Sequence, residues 1–480
     1  MKKYNSLSEI QNLIAQKQLD LPDLLAYYLT QIEKHKNLNA FNEVFFNSAK
    51  AQALLVQDKI NNGTAGKLAG MVIGIKDNIL YKDHASTASS KMLEGFISPY
   101  SSTVAARLIA ADAIIIGRLN CDEFAMGGSN ETSYYGPVRN AADPERVAGG
   151  SSGGSAVAVQ ADLCLAALGT DTGGSVRQPA AFCGCFGLKP TYGRISRYGV
   201  IAYASSFDQV GTLTSSVGDA ALLMEVLAGA DEHDSTVSRL PVPSYLAQLE
   251  ESKPKKIAVI KEMLESEVLD PDTKTVILKA IEEFKAQGHT VDYVSFDLLD
   301  YLVPAYYVLT AAEASSNLSR YDGVHFGYRN LEAKNLNSLY KTSRAEGFGE
   351  EVKRRILLGT FVLSAGYYDA YYQKAQQVRR LIRDKIEGLF VDYDILLTPV
   401  APTPAFKIGE NIQDPLVMYM ADIFTVLPSL TGVPAIAVPL GNNPSGLPLS
   451  MQLMARHFEE SALLSLSNSF TLDSSQLISS

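Results

Sequence analysis

Cysteine is scarce in this 480-residue sequence, with four residues at 121, 164, 183 and 185 and no CxxC pair. That spacing argues against a structural zinc site or any other metal centre and reads as buried, reduced thiols. Histidine is scarce as well. The six, at 35, 84, 233, 289, 325 and 457, lack the Gly/Ser-rich or acidic setting that marks a catalytic base. Positive charge is in deficit, with 42 Lys and Arg against 52 Asp and Glu, a net −10. Most of such a surface repels phosphate backbones. The one compact basic run, Lys353-Arg354-Arg355, reads as a helix face rather than a nucleic-acid patch. No apolar run reaches the ~18 residues of a spanning helix, because Arg107, Asp112 and Asp162 interrupt the candidates. The start, MKKYNSLSEIQNL, carries charge without an apolar segment and does not read as a signal peptide. No membrane association and a cytoplasmic location are expected. Neither GxxxxGKS/T nor GxGxxG occurs, which argues against nucleotide binding by this chain.

A 46% hydrophobic and 20% charged composition fits a well-buried globule. The first sixty residues read as helical, with a capping-box pattern at Ser6 and Glu9. Strand and helix signals then alternate: strands at 68–75, 113–116 and 163–168, helices at 103–111 and 156–161. A second alternation follows, with strands at 257–260 and 290–296 around a helix at 273–287. Residues 303–384 read as mostly helical, and a strand at 395–397 leads into a rigid loop marked by Pro399, Pro402 and Pro404. This pattern predicts an α/β fold, a large mixed β-sheet covered by helices on both faces. With no repeat and no linker, one domain over 1–480 is expected. It comprises a helical segment to about 60, a catalytic core over about 61–230, and a helical pocket region with C-terminal strands over about 231–480.

The run 149–155, GGSSGGS, has the composition of a flexible linker. Apolar sequence with helix character follows at once, and a second cluster, Asp171-Thr172-Gly173-Gly174-Ser175, follows a strand. Two such loops suggest backbone amides converging on an anion or a developing oxyanion. They also fit two tight turns that need positive φ. The pattern GxSxG occurs twice, centred on Ser151 and Ser152, so an α/β-hydrolase is a rival. That chemistry needs a histidine base, and no candidate stands out. Two SxxK matches, at Ser252 and Ser338, lack glycine-rich company. A lysine serves as base when burial makes it neutral. Lys76 follows the apolar strand directly, although its position alone favours a surface lysine at a strand end, paired with Asp77.

Three stretches together resemble the amidase signature family: Gly74-Ile75-Lys76-Asp77-Asn78, the run 149–155, and the stretch 169–179. The resemblance implies that Ser175 is the nucleophile, Ser151 a bridging serine in a cis peptide, and Lys76 the base. It further implies an oxyanion cradle from the amides of Thr172, Gly173 and Gly174, with Ser175 itself. Within the family the chain is most similar to the glutamine-hydrolysing A subunits of tRNA-dependent amidotransferases. Stretches at 122–129, 186–194, 196–199, 204–209, 352–360 and 419–422 carry that likeness. Ala148 and Gly128 depart from it, and the tail after Ser465 diverges. By resemblance, Arg355 takes the glutamine carboxylate through paired hydrogen bonds, Asp422 takes its ammonium, and Tyr306 lines the pocket. The implied partners are B and C subunits, with ATP, Mg and misacylated tRNA handled mainly by the B subunit. The acceptor would be Glu-tRNA(Gln), Asp-tRNA(Asn) or both. A free-standing amidase acting on small-molecule amides is the alternative.

Overall fold

Short runs of Val, Ile, Leu and Ala that lie buried on both faces form the centre of the molecule. The computed structural model describes residues 3–250, 253–411 and 414–470. In chain order the strands are β1 (Phe41–Val44), β2 (Val72–Lys76), β3 (Ile114–Leu119), β4 (Ala166–Asp171), β5 (Phe186–Lys189) and β6 (Gln209–Thr214). They continue with β7 (Lys256–Ile260), β8 (Thr290–Val294), β9 (Ile395–Pro399), β10 (Ala435–Asn442) and β11 (Pro448–Ala455). All eleven belong to one sheet, in the order β1-β3-β2-β4-β6-β5-β10-β11-β9-β7-β8. β3, β2 and β4 run parallel, as do β9, β7 and β8; the strands between are antiparallel. This is the mixed α/β sheet expected from the alternation.

Three readings are corrected. The first sixty residues are not all helix. Between the helices Leu21–Lys34 and Phe46–Asn61 the chain forms β1, which pairs with β3 at the sheet edge. A four-residue strand leaves almost no period-2 signal to read. The strand expected at 163–168 is registered later, at Ala166–Asp171, which carries it up to the second glycine cluster. The strand expected at 68–75 begins at Val72 and ends on Lys76 itself. Ser6 caps the first helix by accepting the Glu9 N–H, while the Glu9 carboxylate accepts from Asn5.

The parallel pairing of β2 with β4 positions the chemistry. Ile73 lies beside Ala166 and Ile75 beside Leu168, so both strands deliver their carboxyl ends to the same end of the sheet. Each Gly/Ser loop there leads into a buried helix, Gly153–Gln160 or Arg177–Cys183. Both helices are buried nearly all round, the first apolar along most of its length and the second with Arg177 and Gln178 at its start. All four cysteines are buried and free. Burial pushes the thiols of Cys121, Cys164 and Cys185 up to about 12. Among the described residues no helix is long and apolar enough to cross a membrane. Of the divergent tail, residues 471–480 lie outside the described residues.

Candidate active site

Lys76 is fully buried at the end of β2. Asp77, its sequence neighbour, is held elsewhere: Arg118 pairs with it at 2.8 Å, and Thr87, Ser89 and Asn42 donate to it. The lysine Nζ lies 2.7 Å from Ser151 Oγ, 2.9 Å from Ser152 Oγ and 3.4 Å from the Thr170 carbonyl. Burial lowers its pKa to about 8, against the opposing pull of nearby acidic groups. The neighbours also assign its hydrogens. Thr170 O can only accept, and Ser152 Oγ donates its own proton to that carbonyl at 3.2 Å. A neutral amine therefore spends two N–H bonds on Ser152 and Thr170 and turns its lone pair toward Ser151. Ser152, which sequence reasoning passed over, is the group that makes this orientation specific. Its signals were the second GxSxG match and a pair of adjacent serines between glycines.

The Gly150–Ser151 peptide bond is cis. Ser175 follows in the loop between β4 and the helix Arg177–Cys183; it is 7% exposed, and its carbonyl accepts the Ser152 N–H at 3.1 Å. Its hydroxyl makes no hydrogen bond among the described residues, so none joins it to Ser151. Hydrogen bonds of this kind commonly tighten only when substrate binds. The three relay residues are thus gathered at the carboxyl ends of β2 and β4, and among the described residues no hydrogen bond joins them to a histidine. His84, His289, His325 and His457 bond to Ser48, Lys255, Asp322 and Thr431 respectively.

The amide cradle differs in one member from the expected set. Gly174 N–H donates to Asp171 Oδ1 at 2.9 Å, so that donor is already committed. The amides of Thr172, Gly173 and Ser175 make no hydrogen bond among the described residues and remain available. Asp171 organises the turn. It also accepts from the Val176 N–H and takes a two-pronged contact from Arg177, at 2.9 and 2.8 Å. Burial raises the Asp171 pKa, but Arg177 outweighs it and holds the carboxyl below its usual value. The remaining Arg177 donors reach Thr425 O, Ser429 and Gln452. On the other side, the Thr172 hydroxyl bonds Asp208 at 2.7 Å. Gly173 has no room for a side chain, since a Cβ would sit 2.4 Å from the Tyr306 hydroxyl.

Arg355 is turned inward from the helix Glu350–Val362 and is only 4% exposed, so the basic run 353–355 divides. Lys353 pairs with Glu350 on the outer face, and Arg354 pairs with the mostly buried Glu351. Arg355 donates through Nε to Glu351 and through one terminal nitrogen to Tyr203, both at 2.8 Å. Tyr203, Tyr307 and Tyr419 surround its guanidinium at 5.1–5.6 Å. Asp422 accepts the Tyr307 hydroxyl at 2.7 Å. Burial pushes the Asp422 carboxyl up to about 7, against the Tyr307 hydrogen bond and the Arg355 charge. Tyr306 is buried edge-on against Phe207 and Tyr307 and covers Gly173. A cavity of about 220 Å³ opens beside these groups, lined among others by Glu123, Gly128, Tyr307, Arg355 and Tyr419. Sequence reasoning missed Tyr203, Tyr307 and Glu351, because tyrosines and helix-face acids are unremarkable until they surround an arginine.

The chain is similar to known proteins over nearly its whole length. The family model described as Amidase matches residues 23–464. The A subunit of glutamyl-tRNA(Gln) amidotransferase from Chlorobium luteolum is 48% identical over 466 residues, 97% of this chain and 96% of that protein. The A subunit of the same enzyme from Koribacter versatilis is 50% identical over 431 residues, 89% of each chain. The crystal structure of the corresponding A subunit from Thermotoga maritima superposes with a TM-score of 0.76 at 39% identity, covering 93% of both chains. By its sequence over nearly its whole length, and by its fold, the chain belongs to the amidase family.

Proposed function

We propose that this chain is the glutamine-hydrolysing A subunit of a tRNA-dependent amidotransferase, and that Lys76, Ser151 and Ser175 carry the hydrolysis. The observation that carries the reading is the buried amine 2.7 Å from Ser151, beside a loop of open amides and an Arg355/Asp422 pocket. Neutral Lys76 accepts the Ser151 proton as Ser151 accepts that of Ser175. Ser175 Oγ then bonds to the carboxamide carbon of glutamine, and the amides of Thr172, Gly173 and Ser175 hold the oxyanion. Losing one such donor typically costs about 3–4 kcal/mol. The proton returns along the relay to the nitrogen, the C–N bond breaks, ammonia leaves, and water releases glutamate from Ser175. Arg355 binds the substrate carboxylate and Asp422 its ammonium, with Tyr306 closing the wall over Gly173.

The ammonia is used on a partner B subunit, where ATP and Mg activate Glu-tRNA(Gln), Asp-tRNA(Asn) or both; a small C subunit completes the complex. The names of the relatives and the acidic surface of this chain support that division of labour. The test is reconstitution with Ser175→Ala. Glutamine should no longer support amidation of misacylated tRNA, and concentrated ammonium salt should restore it with unchanged ATP dependence. Failure of ammonium in a correctly assembled complex means that Ser175 does more than release ammonia. A wild-type chain that joins no complex and rapidly hydrolyses simple amides alone would instead be a free-standing amidase.

A further inference from the structure

Glu123 is a buried carboxyl with no role in the relay, the cradle or the substrate clamp. It lies in the loop after β3, where Phe124 and Ala125 both adopt left-handed backbone, with φ of 50° and 60°. One oxygen receives the Ser90 hydroxyl; the other accepts the Gly349 N–H at 2.8 Å. Gly349 immediately precedes the helix Glu350–Val362, which carries Glu351 and Arg355. As a glycine it has no side chain with which to cap that helix, and its own N–H, the last before the first turn, is held by an acceptor 226 positions away. A carboxylate at this end also meets the positive pole of the helix dipole. The contact is built from both sides, because a Cβ on Gly349 would sit 2.3 Å from the Glu123 oxygen.

The preceding residue faces the relay. Asp122 N–H donates to the Ser151 carbonyl at 3.1 Å, and the Asp122 carboxylate accepts from Asn130 and from Thr132. Two consecutive residues thus hold the two halves of the site, and the cavity wall contains Glu123, Gly349 and Arg355 together. We infer that Glu123 is a positioning residue: through Gly349 it fixes the first turn of the Arg355 helix, and with it the reach of Arg355 toward the carboxylate of bound glutamine. The inference rests on the reading of Arg355 as the carboxylate clamp. Burial raises the Glu123 carboxyl to about 7, against its two hydrogen bonds and the nearby Lys353. That is the cost of placing an acceptor where water cannot replace it.

The experiment uses the assembled complex and two substrates, glutamine and 4-aminobutanamide, which is glutamine without its α-carboxylate. Glu123→Ala should raise KM for glutamine about ten-fold, the size of one lost hydrogen bond to a charged group. Its kcat should stay within about two-fold, and kcat/KM for 4-aminobutanamide should hardly change. Gly349→Ala displaces the same carboxylate from the other side and should give the same signature, so the test stands even if Glu123→Ala fails to assemble. Glu123→Gln keeps an acceptor for the Gly349 N–H and should recover most of the loss. Equal losses on both substrates, or a fall in kcat at unchanged KM, would overturn the inference. Arg355→Ala is measured in parallel. If it too fails to discriminate between the substrates, the clamp reading is wrong; if it discriminates and the Glu123 and Gly349 variants do not, only the role of Glu123 is wrong.

Discussion

Lys76 and Asp422 are charged residues whose chemistry is set by being buried. Lys76 is active as the free amine, so kcat/KM for an uncharged amide should rise with pH through about 8, the value to which burial lowers it. Asp422 works as the ionised carboxylate, and burial raises it to about 7. Glutamine binding should therefore weaken as pH falls through about 7, while the KM of an uncharged amide stays flat. A glutamine pH profile of KM without that low-pH limb would remove Asp422 from ammonium recognition. Lys76→Ala should lower turnover by about 10²–10⁴-fold, the usual range for a general base. Each histidine replaced singly should leave most activity. A histidine variant that abolishes activity while Lys76→Ala retains it would restore the α/β-hydrolase reading. At this scale the three relay residues followed from the family resemblance that the motifs carry, not from the position of any one of them. Ser152 was not, because its part depends on where one carbonyl, Thr170 O, lies.

Among the elements, β4 and the helix Arg177–Cys183 do most to shape the site, through the turn that joins them. The turn is locked by the buried Asp171–Arg177 pair, whose outer partners come from residues 425–452 of the chain. Arg177→Met should destabilise the protein by about 3–5 kcal/mol, because it strands a buried carboxylate. Thermal and urea unfolding of the variant measure this, and a change near zero would show that Asp171 simply takes up a proton. Gly173→Ala tests the opposite face of the turn. The new Cβ would clash with Tyr306, so turnover should fall at least ten-fold while the melting temperature changes little. Normal turnover would mean that Tyr306 moves aside freely and does not close the cradle. The glycines of this turn were legible as a loop. The commitment of Gly174 N–H to Asp171 was not, since a repeated Gly does not say which amide points outward.

For the whole molecule, charge and sheet topology matter most. A net −10 chain should not bind tRNA by itself at physiological salt. A mobility-shift titration checks this: no shift is expected for the isolated chain, and a shift once the partner subunits are added. Tight binding by the chain alone would contradict the proposed division of labour. The mixed sheet brings β2 and β4 side by side although Lys76 and Ser175 lie 99 positions apart in the sequence.

The sequence alone determined the α/β class and the lack of a nucleotide loop, and its motifs carried the family resemblance that implies the hydrolytic residue set. These depend on residue type and local spacing, which a linear text preserves. Tertiary structure alone decided that Arg355 faces inward while Arg354 does not, and that β1 exists at the sheet edge. It also decided that Tyr203, Tyr307 and Glu351 gather around one guanidinium, and that Glu123 holds the Gly349 N–H in front of a helix from 226 positions away. Each of these depends on which distant segment supplies the dielectric, the hydrogen bond or the steric wall, and packing fixes that partner only when the sheet closes.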